Sequence, residues 1–191
     1  MPSCNLRCRY CFNYTRRLTM KLQKLLPAIV VFWLATGAGS AFAEDITNCD
    51  RFYIHGEPGQ PLEVDSITLT GQSCILSYVN VYGDVTVTNA GRFEFQNSNV
   101  GGTIRVIGSG DVGLQQTDAD GSLILKGNEL VSVYTAIVGT AIRVIRNKVA
   151  TVVGNAAPVI RCRDNIRLVG TENESSSGNN CETLNRFAPA D

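Results

Sequence analysis

Between Asp65 and Gly170 the chain repeats itself about every 19 residues, and this period limits it to a small set of architectures. In register the units read GDVTVTNAGRFEFQNSNVG from Gly83, GTIRVIGSGDVGLQQTDAD from Gly102, GSLILKGNELVSVYTAIVG from Gly121 and TAIRVIRNKVATVVGNAAP from Thr140. Two apolar pairs recur in each. The first column is Val85/Val87, Ile104/Val106, Leu123/Leu125 and Ile142/Val144; the second is Phe93/Phe95, Val112/Leu114, Val131/Val133 and Val149/Val152. A fixed period of this kind marks a stacked solenoid, because no unit can bury its own apolar face alone.

Alternation makes these elements strands. In Ile104-Arg105-Val106 and Leu123-Ile124-Leu125 the first and third residues share one face, as period-2 geometry requires. The columns are rich in Val, Ile and Phe, which suit a pleated surface. Between them come Asn89-Ala90-Gly91, Gly108-Ser109-Gly110, Gly127-Asn128 and Arg146-Asn147, read as tight turns in which Gly and Asn tolerate positive φ. Two short strands and two or three turns fill one unit, and successive units pair in parallel. About four inward apolar side chains per unit then contribute about 1.5–3 kcal/mol each. The expected fold is all-β: a single-domain parallel β-helix of five to six coils.

On this periodicity, residues 65–170 resemble the small right-handed parallel β-helix proteins of the pectin-lyase-like type. Left-handed hexapeptide helices are the alternative, and their six-residue rhythm is absent within the units. For an enzyme of this architecture the resemblance implies outward carboxylates, a basic residue and long loops shaping a sugar groove. The units here hold no long insertion.

The chain before the repeat reads differently. Residues 20–43 form a secretory signal peptide: Lys21 and Lys24 supply a positive region, Leu25 to Leu34 an apolar one, and Ala41-Phe42-Ala43 a small-x-small cleavage site before Glu44. The apolar stretch falls short of the roughly 20 residues that span a bilayer. The expected location is therefore outside the cell or in the periplasm, and the protein is not integral to the membrane. Within residues 1–19, Cys4-Asn5-Leu6-Arg7-Cys8-Arg9-Tyr10-Cys11 resembles the cluster loop of radical SAM enzymes. That resemblance implies an iron–sulfur cluster held by Cys4, Cys8 and Cys11 with S-adenosylmethionine as cofactor. It covers about a dozen residues, and a signal peptide follows it in place of an α/β barrel. Met20 is therefore taken as the start, with 1–19 a mis-assigned leader and no cofactor expected. The pair Arg16-Arg17 is taken as a chance match to a twin-arginine signal.

All 17 acidic residues follow Ala43, whereas six of the 17 basic ones precede it, so the mature chain carries 11 bases and a net charge of −6. This argues against general nucleic-acid binding. Cys49, Cys74, Cys162 and Cys181 remain, an even number that reads as two disulfides with three possible connectivities. Pairing Cys49 with Cys74 and Cys162 with Cys181 staples each flanking segment, 44–64 as an N-terminal cap and 171–191 as a C-terminal tail or cap, onto the nearer end of the stack. Zinc is the poorer reading, because these four cysteines contain no C-x-x-C and His55 is the chain's one histidine.

Candidate sites are few. Arg105, Arg143 and Arg161 share one outward position, interrupted by Ile124 and preceded by Thr86; such a column either binds an anionic polysaccharide through its planar guanidinium forks or is a solvated sheet face. Arg143, Arg146, Lys148, Arg161, Arg163 and Arg167 concentrate in the last two units, with Asp164 the one acid among them. Asp118-Ala119-Asp120-Gly121 resembles the start of a calcium loop but lacks its distal ligands, and reads as a polar turn. His55 and Glu57 have no neighbouring nucleophile. Three function classes follow: an exported non-enzymatic solenoid that binds or builds at the envelope, a polysaccharide lyase or hydrolase on the same fold, and a fragment carrying the radical SAM loop. Anionic polysaccharide or another envelope component is the expected partner.

Overall fold

A computed structural model describes residues 44–49 and 52–181, together with the backbone of 183–187; the cysteines Cys4, Cys8 and Cys11 and the signal-peptide stretch 20–43 lie outside the described residues. Among these, every regular element is a strand, and the strands form a parallel solenoid of about six coils. An incomplete leading coil holds β1 (Tyr53–His55) and β2 (Leu62–Val64). Coil 1 holds β3 (Ile67–Thr70), β4 (Cys74–Ser77) and β5 (Val79–Val81), and coil 2 holds β6 (Val85–Thr88) and β7 (Arg92–Val100). Coil 3 holds β8 (Ile104–Ile107) and β9 (Asp111–Ala119), and coil 4 holds β10 (Ser122–Lys126), β11 (Leu130–Tyr134) and β12 (Ile137–Val138). Coil 5 holds β13 (Ala141–Ile145), β14 (Val149–Val153) and β15 (Ala156–Ala157). Coil 6 holds β16 (Val159–Arg163), β17 (Arg167–Thr171) and β18 (Glu174–Ser175), and β19 (Thr183–Phe187) closes the series.

Each coil has three faces. The first is the six-stranded sheet β3-β6-β8-β10-β13-β16. The second runs through β4, β7, β9, β11, β14 and β17, and the third is the short step made by β2, β5, the second halves of β7 and β9, then β12, β15 and β18. Both apolar columns point inward and are buried, with Val85, Val87, Phe93 and Phe95 at 0% exposure. One position departs from the sequence reading. In coil 5 the inward pair is Ala150/Val152, because Ala150 registers with Val131, while Val149 faces out. Alternation within the strand decides this, and the smaller alanine side chain hides the pattern.

Two corners recur, constant in length from coil 2 to coil 6; the first is one residue shorter in coil 1, and the second takes up residues 56–61 in the leading coil. At the first, Gly71, Asn89, Gly108, Gly127, Arg146 and Asp164 all have φ between 55° and 69°. At the second, Tyr78, Asn97, Gln116, Thr135, Gly154 and Glu172 lie between 49° and 65°. A left-handed residue costs roughly 1–2 kcal/mol when it is not glycine, so the non-glycine members are held there by the stack. The turn reading of Gly127-Asn128 and Arg146-Asn147 is thus corrected: Gly127 and Arg146 take positive φ, whereas Asn128 and Asn147 point inward, each at 1% exposure.

These inward residues form ladders. Asn128 Oδ1 accepts the Ser109 N–H at 2.8 Å, Asn147 Oδ1 the Asn128 N–H at 2.9 Å, and Asn165 Oδ1 the Asn147 N–H at 2.9 Å. Each Nδ2 donates to a carbonyl of the preceding coil: Val106, Leu125 and Val144, at 3.2, 3.2 and 2.9 Å. A second ladder follows the other corner, where Asn155 accepts the Ala136 N–H at 2.8 Å and Asn173 the Asn155 N–H at 3.2 Å. Polar groups inside a solenoid are tolerable only when so paired. Among the described residues, no buried side-chain nitrogen or oxygen lacks a partner.

The third corner varies. Three residues separate the inward Val81 from Val85, and likewise Val100 from Ile104, Ala119 from Leu123 and Val138 from Ile142. Two separate Val64 from Ile67 and Ala157 from Ile160.

The ends are finished unequally. Ile46 bridges to Ile67, β1 pairs with β4 and β2 with β5, all parallel, so the leading coil continues the stack. At the far end Asn179 bridges to Ile160, and β19 then pairs antiparallel with β17, reversing the chain. Disulfides tie both outer turns inward. Cys49 is bonded to Cys74 with Cα atoms 5.8 Å apart, and Cys162 to Cys181 with Cα atoms 5.1 Å apart.

Candidate functional site

The outward side of the first face is the most strongly patterned surface. Its two columns read Thr68, Thr86, Arg105, Ile124, Arg143, Arg161 and Thr70, Thr88, Ile107, Lys126, Ile145, Arg163. Alternation forces this: within each strand the intervening residues fill the core, and in-register parallel pairing stacks the outward residues into rows along the axis. No carboxylate stands in either column.

Register brings Arg143 and Arg161 directly side by side, with Ile124 between Arg105 and Arg143. Like charges opposed on a sheet repel. Arg105, Lys126, Arg143 and Arg161 form no ion pair among the described residues. One such cation stands in each of coils 3 to 6, about 4.8 Å apart along the axis. Lys126 is the member that sequence reading missed. Its signal was present: two residues beyond Ile124, it lies on the same strand face.

The rest of the basic cluster disperses. Asp164 takes Arg163 at 3.1 Å and Arg146 at 3.6 Å. Lys148 bridges to Glu129 of the preceding coil at 2.5 Å, and this hydrogen bond and its charge hold the Glu129 carboxyl below the usual range. Arg167 belongs to the second face.

Acids gather where the chain enters the first face. Asp45, Asp65 and Asp84 are exposed there, in the leading coil and before coils 1 and 2. Asp45 Oδ1 accepts the Ser66 hydroxyl at 2.7 Å, and Asp84 Oδ1 accepts the Thr103 N–H at 2.7 Å. The face is therefore bipolar, acidic and threonine-rich at one end and cationic at the other.

Other candidates stay apart. His55 stacks on Tyr53 with ring centroids 5.6 Å apart and meets the edge of Tyr78 at 6.0 Å, while Glu57 closes a tight turn with Gln60. Asp118 faces out on the third face and Asp120 occupies the corner after it. Among the described residues, no three His, Cys, Asp or Glu side chains converge as metal ligands, and no helix is long and apolar enough to cross a membrane. Tyr82 donates to Glu63, and that carboxylate raises the phenol above its ordinary value. No family model, curated protein or solved structure matches the chain.

Proposed function

We propose that this chain is an exported, non-enzymatic β-solenoid that works outside the cytosol, presenting its first face to an anionic partner such as an acidic polysaccharide of the cell envelope. The observation that carries this reading is the row of four cations on a rigid sheet, one per coil, without carboxylate partners. A charged side chain on a protein surface ordinarily finds a counter-ion or solvent. Cations fixed at one per coil on a sheet offer a polymer several contacts at no extra ordering cost. Export rests on the leader pattern ending at Ala43, with two disulfides that persist in an oxidising compartment.

Binding of the oxidised protein to dextran sulfate and polygalacturonate, with neutral dextran as control, tests the ligand class. Arg143→Gln with Arg161→Gln should weaken polyanion binding by at least about tenfold and leave the fold intact. Equal binding to neutral dextran, or indifference to the double substitution, overturns the reading. Intact mass of protein recovered outside the cytosol tests export, with Glu44 as the expected first residue.

A further inference from the structure

The same face has a second property, visible only when its two halves are compared. Turn a copy over about an axis that lies along the strands between β8 and β10, and coil 3 faces coil 4, coil 2 faces coil 5, and coil 1 faces coil 6. Arg105 then meets Ile124 of the second copy and Ile107 meets Lys126, so that no cation opposes a cation at the centre. Arg143 meets Thr86 beside Asp84, and Arg161 meets Thr68 beside Asp65. Every contact occurs twice, as a two-fold interface requires.

The geometry points to a symmetric dimer of this chain through its first face, with Arg143 and Arg161 of each copy paired to Asp84 and Asp65 of the other. The inference rests on the reading that this face is the contact surface, and it names a partner that supplies its own carboxylates. Within one chain these groups cannot meet. Asp84 precedes coil 2 and Arg143 lies in coil 5, about three strand spacings or 14 Å away. The two sheets face each other with strands aligned, the arrangement in which sheets pack about 10 Å apart. Six strands of four or five residues cover on the order of 500 Å² per copy, which sets the pair among weak, reversible interfaces. Dimerisation hides the cationic row, so an anionic polymer and the second copy compete for it.

Sedimentation equilibrium of the oxidised, exported protein tests this, across concentration and in low and high salt. A monomer–dimer equilibrium that salt weakens is expected. Arg143→Glu should weaken it by at least about tenfold, and adding Asp84→Arg to that chain should restore it, because the exchanged charges meet only between copies. Far-ultraviolet circular dichroism and intact disulfides confirm that both variants fold. A monomer at all concentrations, a dimer indifferent to Arg143→Glu, or failure of the exchanged pair overturns the dimer. Dextran sulfate separates the two readings: a monomer that binds it refutes the dimer alone, and a dimer that it does not dissociate refutes the polyanion reading alone.

Discussion

Replacing Asn147 by alanine removes the centre of the longer internal ladder. Asn147 Oδ1 accepts both the Asn128 N–H at 2.9 Å and the Asn128 side-chain amide at 3.0 Å, while its own Nδ2 donates to Leu125 and to Asn165. The site is 1% exposed, so water does not replace these partners without opening the coil. An orphaned buried donor costs about 1–3 kcal/mol, and the truncated side chain adds a small cavity. Together they predict a loss of about 2–4 kcal/mol, a large fraction of the 5–15 kcal/mol typical of a domain. Asn99→Ala is the control. Asn99 makes a ladder of the same kind to Asn80 at 2.8 Å, but on the outside, so its loss should stay within about 0.5 kcal/mol. Urea unfolding of the oxidised proteins gives both values, and amide exchange should show the Asn128 N–H losing protection in Asn147→Ala alone. If the two variants unfold at the same urea concentration, or the Asn128 amide stays protected, the internal ladder does not hold the coils together as argued.

Four shorter predictions accompany it. Ile104→Asp or Leu125→Asp buries an unpaired carboxylate and should cost several kcal/mol, whereas Ile124→Asp on the outward column should be mild; equal tolerance in urea unfolding would show the register to be wrong. Gly102→Ala places a methyl carbon 2.7 Å from the Gly83 carbonyl oxygen and against the Asp84 carboxylate, so it should lower the melting temperature even though an ordinary φ is kept there. Arg146→Gly relieves a left-handed arginine at φ 56° and gives up only an exposed ion pair, so it should stabilise by about 0.5–1 kcal/mol in the same urea assay. Tyr82 should ionise at higher pH than a free phenol when followed by ultraviolet absorbance, and Glu63→Gln should return it toward normal; with a raised native pKa, its interaction favours the fold below the ordinary phenol pKa and is lost as pH rises through the native one.

The two apolar columns made the solenoid readable, because Val, Ile and Phe at a fixed period have no other way to be buried. The corners were only half readable. Gly127-Asn128 follows ordinary turn chemistry, and nothing local says that the glycine takes the bend while the asparagine turns inward to serve another coil's amide. That role depends on a neighbour 19 residues away. The third face was hidden for a related reason: β12, β15 and β18 are two residues long, and Ser98, Thr117 and Asn155 supply polar inward positions where an apolar column was sought. Arg105, Arg143 and Arg161 were found by following one outward column, and Lys126 was missed because it stands in the other.

From coil 2 to coil 6, length variation is confined to one line along the molecule. There the first two corners keep a constant two-residue step because their ladder residues must stay in register from coil to coil, whereas the third corner shortens at Pro158–Val159 without disturbing either ladder; outside that stretch the first corner is one residue shorter in coil 1 and the second takes up residues 56–61 in the leading coil. That seam borders the first face along its entry edge. Within coils 2 to 6 a chain of this design can therefore gain or lose residues there, as a zip keeps its teeth while the tape beside it is cut. Grafted loops placed between Gly102 and Thr103, or between Gly139 and Thr140, would stand along the rim of the cationic surface, where new specificity is added most cheaply.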